Sequence, residues 1–277
     1  MGIILPVIVI LLVSGACVFL IIRNRKVKAR LHACLKALDE AKKSNDSKDK
    51  FFSIVAHDLK SPFNSLMGLS EMLMLQAENL NSEQVQYHSR QIFNSSKRLY
   101  TLVDDLLQWS RAQSGKIAYN PEKIDINILS SNVVNLQRIS VQEKDIVIAL
   151  KMDSGLEAYA DANIYSTVLR NLIANAIKFS KLGSTIYVSA HRRSEGMIEV
   201  MINDRGVGME REILESIFKI DEKHTTVGTF NEQGTGLGLI LCKEFVEINR
   251  GQIFVESEVG LGTTVRFTVP AAEINKK

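Results

Sequence analysis

The sequence has few of the residues that form disulfide bonds or structural metal sites. Its three cysteines, Cys17, Cys34 and Cys242, lie far apart and include no CxxC pair. This spacing excludes a disulfide framework and a zinc-type site, and it favours small buried thiols in a reducing compartment. The sequence also lacks a GxxxxGKS/T phosphate-binding loop and the set of signature motifs found in eukaryotic-type protein kinases.

An excess of charge of one sign is also missing. The chain has 34 basic and 31 acidic residues, and its net charge of +3 is too small to indicate a nucleic-acid partner. Its hydrophobic fraction of 45% and charged fraction of 23% are ordinary for a globular protein. A length of 277 residues is enough for two small domains with additional segments.

The amino-terminal segment departs from this even distribution of charge. Residues 3–22 include no charged side chain, and as a helix they would be about 30 Å long, enough to cross a bilayer core. Basic residues follow at positions 23, 25, 26, 28 and 30, so the positive-inside rule places the rest of the chain in the cytosol. A cleaved signal peptide would have its basic residues before the apolar stretch.

We therefore predict that residues 1–22 are a transmembrane anchor that contacts membrane lipid through residues 3–22. The predicted localisation is the inner (cytoplasmic) membrane, with a single pass and a cytosolic catalytic region. Only two residues precede the apolar stretch 3–22, so we expect that a sensor has been removed or that the input comes from another protein.

A heptad pattern begins after the basic cluster. Apolar-leaning positions recur at alternating steps of four and three residues from Val27 to Leu73, which is typical of a long helix in a coiled coil or bundle. Asn45 and Lys48 fall at core positions and weaken this pattern, so we predict a flexible joint there. Residues 23–50 are interpreted as a juxtamembrane coiled-coil helix.

A second apolar stripe follows a break at residues 79–82. This stripe consists of Ile92, Leu99, Leu102, Leu106 and Trp109. Two helices with outward apolar faces form a hairpin that needs a second hairpin, so we predict a homodimeric four-helix bundle over residues 51–114. A linker follows at residues 115–122 because Ser114 and Gly115 end the helical pattern.

The remaining sequence mixes strands and helices. Period-two alternation with β-branched residues predicts strands at 146–152, 185–191, 197–203, 252–256 and 264–269. Helical patterns lie at about 126–143, 162–178 and 237–249. These elements predict a separate α/β sandwich domain at residues 123–273, followed by a tail at 274–277. The fold class is therefore α+β and multidomain.

The first bundle helix contains the segment AHDLKSPF at residues 56–63. With Val55 at a core position, His57 falls on the outermost and polar face of the helix. A surface histidine without a function remains an alternative on this pattern alone. Asp58 is able to hold the proton on one ring nitrogen and thereby raise the nucleophilicity of the other. Pro62 removes a backbone hydrogen bond one turn after His57 and predicts a kink.

The longer segment FFSIVAHDLKSPFNSLMG resembles the H-box of the sensor histidine kinases of two-component systems. Its pattern is a histidine, an acidic residue, leucine, a basic residue, serine or threonine, and proline. The resemblance implies that His57 is the phosphoacceptor, that Asp58 activates it, and that the partner is the receiver domain of a response regulator. Family members that dephosphorylate their partner use threonine or asparagine four residues after the histidine, where this chain has Ser61.

Three further motifs follow in the predicted sandwich domain. NLIANAIKFS at 171–180 places Asn171, Asn175 and Lys178 on one helix face, which suits hydrated Mg²⁺ and phosphate, although a solvated face fits equally well. DRGVG begins with Asp204 at the end of a strand and, alone, is most often only a turn. GTGLGL begins at Gly234 and precedes a helix, whose free N–H groups favour phosphate.

In this order the three motifs resemble the N, G1 and G2 boxes of the Bergerat ATPase fold of histidine kinases, which gyrase-type ATPases share. The resemblance implies ATP and Mg²⁺ as cofactors, with Asn175 at Mg²⁺, Lys178 at phosphate and Asp204 at the adenine amino group. Residues 219–233 would be the ATP lid. The other implied ATP-binding residues are Asn171, Phe179, Gly206, Gly208, Phe218, Gly234, Thr235, Gly236, Leu237 and Gly238.

The expected function is ATP-dependent autophosphorylation of His57, followed by transfer to an aspartate of a response regulator. One alternative is a gyrase-like ATPase, which leaves the H-box unexplained. Another is a membrane-tethered coiled-coil scaffold with a degenerate nucleotide domain, although the intact motifs count against it. No nucleic-acid partner is expected.

Overall fold

A computed structural model of the chain describes residues 4–193, 196–219, 226–230, 232 and 234–272. Before residue 49, side chains are described only at positions 25, 28, 30–32, 34–39, 42 and 45. From residue 49 on, the side chains of all these residues are described except that of residue 77. The chain forms two compact units, residues 1–53 and 54–277. The tail predicted at 274–277 lies outside the described residues.

The first unit is helical. Helix α1 covers Ile4–Gln76, and its backbone is helical through Asn45 and Lys48, so the described backbone has no break at the predicted joint. Phe52, which belongs to the predicted heptad series, is 54% exposed in the single chain, whereas its neighbour Phe51 is 1% exposed.

No helix in the part of the chain that the structure describes is long and apolar enough to cross a membrane. The anchor predicted at residues 1–22 falls on positions whose side chains lie outside that part.

The second unit begins with a helical hairpin. The end of α1 leads into a short 3-10 helix, Ala77–Asn79, and α2 then covers Ser82–Gln113. Asn81 starts α2 with a capping box, because its Oδ1 accepts from Gln84 N at 2.8 Å and Gln84 Oε1 accepts from Asn81 N at 3.0 Å. These bounds confirm the break predicted at 79–82.

The hairpin buries one part of its apolar surface and exposes another. Val55, Leu102 and Trp109 are each 4% exposed, which confirms the two predicted stripes. Large apolar side chains elsewhere on the hairpin remain exposed, including Phe63 and Phe93. An exposed apolar surface of this kind fits the second hairpin of a four-helix bundle.

The rest of the second unit is a mixed α/β domain. Its elements are β1 Glu122–Asp125, α3 Ile126–Leu136, α4 Arg138–Glu143, β2 Val147–Met152, β3 Glu157–Ala160, α5 Ala162–Phe179, β4 Thr185–Arg192, β5 Met197–Asp204, α6 Arg211–Ser216, α7 Gly238–Ile248, β6 Ile253–Glu258 and β7 Gly262–Pro270. Five strands form a sheet in the order β2-β4-β5-β7-β6, with β2 parallel to β4 and the other pairs antiparallel. Strands β1 and β3 form a separate antiparallel pair.

The core of this domain lies between the sheet and the helices α3, α5 and α7. Alternate residues of β4 and β5 are buried, as in Ile186 and Val188 of β4 and Val200 of β5, while Tyr187 is 40% exposed. Helix α5 buries Leu169 and the other residues of its apolar face against this sheet. This arrangement confirms the predicted α/β sandwich and its five longer strands.

Some short elements differ from the prediction. The helix predicted at 126–143 is divided at Gln137 into α3 and α4. The sequence did not indicate β1, β3 or α6: the two strands have only four residues each, and the six residues of α6 are fewer than two helical turns.

Candidate functional site

A cleft of about 1500 Å³ lies between the helical hairpin and the α/β domain. His57, Asp58 and Ser61 line it from α1. The α/β domain lines the cleft with ten of the predicted site residues: Asn171, Asn175, Lys178, Phe179, Asp204, Gly208, Gly234, Thr235, Gly236 and Gly238. Groups predicted from motifs far apart in the sequence therefore face one space.

The imidazole of His57 is held on a rigid helix but faces solvent. Its side chain is 85% exposed, and its Nδ1 lies 3.4 Å from Asp58 Oδ1. When the proton is on Nδ1 it points at this carboxylate, and Nε2 then carries the free electron pair. The exposure confirms the predicted outward position of His57.

Helix α5 supplies the amide and the amine of the site. Asp161 begins the helix by accepting hydrogen bonds from Asn163 N and Ile164 N at 2.9 and 3.1 Å. Since the apolar face of α5 is fixed on the sheet, Asn175 and Lys178 are half-buried at the cleft. The Asn175 side chain makes no hydrogen bond to another described residue, so its amide oxygen fits a hydrated cation.

Asn171 has a different environment from Asn175. Its side chain faces the thiol of Cys242, which lies fully buried in α7 and donates to the carbonyl oxygen of Val168 at 3.8 Å. Burial raises the pKa of this thiol to about 12, and the side chain of Asn171 acts to lower it. Asn171 therefore borders both the cleft and the interior of the domain.

Asp204 is a buried carboxylate at the end of β5. Its Oδ1 accepts hydrogen bonds from Gly206 N at 2.8 Å and Thr263 N at 3.2 Å. Burial raises the pKa of Asp204 to about 6 in spite of these two donors. Its Oδ2 accepts no hydrogen bond from any residue that the structure describes, so an acceptor remains for a donor in the cleft, such as an adenine amino group.

The two glycines after Asp204 let the backbone pass close to its neighbours. A Cβ on Gly206 would lie 2.3 Å from the carbonyl oxygen of Phe179. A Cβ on Gly208, whose φ is +69°, would lie 1.9 Å from the carbonyl oxygen of Glu258. No other residue type fits at these two positions without moving the backbone.

The second glycine-rich segment, residues 234–238, leads into α7. The first N–H groups of a helix have no partner within the helix, so this end of α7 suits an anionic group. Thr235 Oγ1 accepts a hydrogen bond from Leu237 N at 3.3 Å. The same hydroxyl donates to Asp105 Oδ2 in α2 at 2.8 Å.

This contact between Asp105 and Thr235 joins the hairpin directly to the glycine-rich segment. A second hydrogen bond, from Gln113 Nε2 to Glu244 Oε1 at 3.0 Å, lies further along α2 and α7. Burial raises the pKa of Asp105, and the hydrogen bond from Thr235 acts in the opposite direction. Asp105 belongs to none of the sequence motifs, and its partner Thr235 is 130 residues away, so no local signal indicated this contact.

Three predicted residues do not line the cleft. Gly206 lies behind its wall, against Phe179. Phe218 is half-buried, and its ring centre lies 6.0 Å from Lys243 Nζ. Leu237, which directly precedes α7, is 6% exposed and belongs to the core. Residues 220–225, 231 and 233 of the predicted lid lie outside the described residues.

Two protein families account for both halves of this site. Residues 47–115 match the "His Kinase A (phospho-acceptor) domain" family. Residues 160–273 match the "Histidine kinase-, DNA gyrase B-, and HSP90-like ATPase" family. The chain therefore carries the phosphoacceptor and ATPase domains that make up a histidine kinase. Its phosphoacceptor domain is the helical hairpin, and its ATPase domain is the α/β domain.

Curated relatives have the same pair of domains in much longer chains. The chain is 29% identical over 242 residues to the non-motile and phage-resistance protein of Caulobacter vibrioides, covering 86% of this chain and 29% of the relative. It is 27% identical over 248 residues to the cell-division control histidine kinase PdhS of Brucella anthropi, covering 86% and 24%. The chain thus spans less than a third of the length of these relatives.

Solved structures share the fold. The histidine kinase AdeS of Acinetobacter baumannii has a TM-score of 0.64 at 22% identity, covering 78% of this chain and 98% of that chain. Full-length ShkA in complex with AMPPNP has a TM-score of 0.59 at 25% identity, covering 82% and 46%. The histidine kinase ThkA in complex with the response regulator TrrA has a TM-score of 0.64 at 21% identity, covering 80% and 61%.

The raised pKa of Asp204 predicts an unusual pH dependence of stability. Its pKa is about 6 in the folded chain and 3.8 in an unfolded one, so the folded chain binds the proton more tightly. The contribution of Asp204 to the free energy of unfolding therefore falls as pH rises from about 4 to about 6, by at most about 3 kcal/mol. We expect Asp204→Asn to remove this fall in urea denaturation series over that range.

Asp153→Asn is the matched control, because Asp153 is an exposed aspartate of the same domain. This variant should leave the slope of the free energy of unfolding against pH unchanged. An identical pH dependence in the native chain and in the Asp204→Asn variant would contradict the assigned pKa.

The hydrogen bond between Asp105 and Thr235 predicts a docking defect. We expect Asp105→Ala to weaken the contact between α2 and the start of α7 by about 1.5–3 kcal/mol, the value of a hydrogen bond to a charged group. Hydrogen exchange should then become faster in the backbone of residues 235–241. The control is Asp104→Ala, because Asp104 bonds within α2 to Gln108. Equal exchange in both variants would show that Asp105 does not hold the two domains together.

Proposed function

We propose that this chain autophosphorylates His57 with ATP and then passes the phosphoryl group to an aspartate in the receiver domain of a response regulator. The observation that carries the proposal is the shared cleft, in which the exposed imidazole of His57 faces the same space as Asn175 and Asp204. Two domain families that together make up a histidine kinase support the same function.

The ATPase domain would bind the nucleotide through polar groups that border the cleft. Asp204 Oδ2 would accept from the adenine amino group, and the N–H groups at the start of α7 would bind phosphate oxygens. Lys178 would contact phosphate, and Asn175 would hold Mg²⁺, which neutralises charge on the phosphates. The similarity to ShkA, whose structure contains AMPPNP, supports a nucleotide at this site.

The chemical step would depend on positioning and on the state of the imidazole. Asp58 would hold the proton on Nδ1, so that Nε2 of His57 attacks the γ-phosphorus. The new N–P bond forms as the bond from the γ-phosphorus to the β–γ bridging oxygen breaks, and ADP leaves with that electron pair. A carboxylate oxygen of the regulator then attacks the same phosphorus, the N–P bond breaks, and the imidazole is restored.

Ser61 would face the phosphoryl group after transfer. It lies one helical turn after His57, is exposed, and lines the same cleft. We include it in the proposed site as a hydroxyl that contacts the phosphorylated histidine or the water that approaches it.

The proposed partners are a second copy of the chain and a response regulator. The exposed apolar side chains of the hairpin support a homodimer, since a four-helix bundle would bury them. The fold similarity to ThkA, which was solved with the response regulator TrrA, is consistent with a regulator docking on the hairpin.

We further propose that residues 3–22 tether the kinase to the inner membrane as a single helix. The absence of charge in this segment and the five basic residues that follow it support this topology. The hairpin and the ATPase domain would then lie in the cytosol.

Incubation with γ-labelled ATP tests the kinase proposal. The native chain should become labelled, His57→Gln should abolish the label because the acceptor nitrogen is missing, and Asn175→Ala should lower the labelling rate about 100-fold. The matched control is His88→Gln, which changes the other histidine of the hairpin and should label normally. Label that persists on His57→Gln would refute the acceptor assignment, and no label on the native chain would refute the kinase activity.

Cell fractionation tests the membrane proposal. The full chain should sediment with membranes and resist extraction by high salt, because an apolar helix is held by hydrocarbon rather than by charge. Deleting residues 3–22 should release the chain into the supernatant. A full chain that remains in the supernatant would contradict the anchor.

A further inference from the structure

A buried lysine lies next to the nucleotide site but outside its lining. Lys144 follows α4, and its side chain is 3% exposed. Its Nζ lies 2.9 Å from the carbonyl oxygens of Ile177 and Lys178, 2.8 Å from Thr229 Oγ1, and 2.6 Å from Glu232 Oε1. One ammonium group therefore contacts four oxygen atoms.

These four oxygens belong to two different parts of the ATPase domain. Two are carbonyls at the end of α5, where the last turn of a helix leaves oxygens unpaired and favours a cation. The other two belong to residues 226–230 and 232, which we call the lid base because they lie in the predicted ATP lid. Lys144 thus joins the lid base to the end of α5.

The charges in this contact depend on one another. A buried ammonium is costly unless it is paired, and Glu232 supplies the opposite charge. Partial burial acts to raise the pKa of Glu232, but hydrogen bonds from Lys144 and from the backbone of Phe230 bring it below its usual value. The ring of Phe230 also lies 5.3 Å from Lys144 Nζ.

The lid base is connected in turn to Lys178, which we propose as a phosphate ligand. Lys178 Nζ donates to the carbonyl oxygen of Thr226 at 2.9 Å. Thr229 N donates to the carbonyl oxygen of Lys178 at 3.0 Å, and Thr229 Oγ1 donates to that of Ser180 at 2.7 Å. A Cβ on Gly234 would lie 2.7 Å from Lys178 Nζ, so the amine also borders the glycine-rich segment.

We propose that Lys144 is a positioning residue of the nucleotide site: it fixes the lid base on the end of α5 and so holds Lys178 and Gly234 in place for the triphosphate. This inference rests on the proposed binding of ATP by this domain. Lys144 does not line the cleft, so it acts through Lys178 and the lid base rather than by touching nucleotide. None of the sequence motifs includes it.

The test measures nucleotide affinity and turnover in the full chain. Lys144→Met keeps the apolar stem and removes the ammonium, and it should weaken binding of AMPPNP with Mg²⁺ about tenfold by titration calorimetry. KM for ATP should rise by a similar factor, while kcat at saturating ATP changes less than twofold, because the reacting groups are untouched. Lys181→Met is the matched control, because Lys181 is an exposed lysine just after α5. This variant should bind AMPPNP as tightly as the native chain.

The Glu232→Gln variant distinguishes a positioning role of Lys144 from an effect of Lys144→Met on folding. Glu232 is 35% exposed, so its replacement does not disturb the core even where Lys144→Met lowers the melting temperature. We expect Glu232→Gln to weaken AMPPNP binding in the same direction, and the double variant to bind no more weakly than Lys144→Met alone, because the two residues share one contact.

The outcomes distinguish this inference from the proposed function. A native chain that does not bind AMPPNP refutes the proposed function itself. A native chain that binds AMPPNP, with folded Lys144→Met and Glu232→Gln variants that bind it equally well, overturns the role of Lys144. A loss of kcat without a change in KM or affinity also overturns it, because a positioning residue for the nucleotide acts on binding.

Discussion

The packing of α5 on the central sheet is the constraint on which the nucleotide site depends. Leu169, Leu172 and Ile173 are each at most 2% exposed, so the rotation of the helix about its axis is fixed. This rotation brings Asn175 and Lys178 to the cleft, and the end of the same helix supplies the carbonyls that hold Lys144. The side chains that would bind nucleotide lie on the polar face of a helix whose position is decided by the packing of its apolar face.

The larger elements and the motif residues could be predicted from the sequence because their signals are local. The alternation in β4 and β5, the stripe in α2 and the outward position of His57 follow from the periods of strands and helices. The contacts of Asp105 and Lys144 could not be predicted in this way. Asp105 meets Thr235 and Lys144 meets Glu232 across long stretches of chain, and no spacing in the sequence encodes such pairs. Phe218 and Leu237 were assigned to the site by motif alone; Phe218 is half-buried beside Lys243, and Leu237 is 6% exposed.

Both unpredicted contacts hold a loop segment of the nucleotide site in place. Asp105 binds the glycine-rich segment from the hairpin side, and Lys144 binds the lid base from the side of α5. Loops with few apolar side chains bury little surface, so a small number of charged hydrogen bonds decides where they lie. The nucleotide site is thus shaped by residues outside the motifs that would bind the ligand.

Asp204 Oδ2, which accepts no hydrogen bond from a described residue, has a consequence for the thermodynamics of nucleotide binding. A purine amino group that donates to Oδ2 favours the ionised carboxylate and lowers its pKa from about 6. Nucleotide uptake is then accompanied by the release of a fraction of a proton in mildly acidic solution. The observed enthalpy of binding therefore includes the heat with which the buffer takes up that proton, and it differs between two mildly acidic buffers with different heats of ionisation, such as phosphate and Bis-Tris, at the same pH.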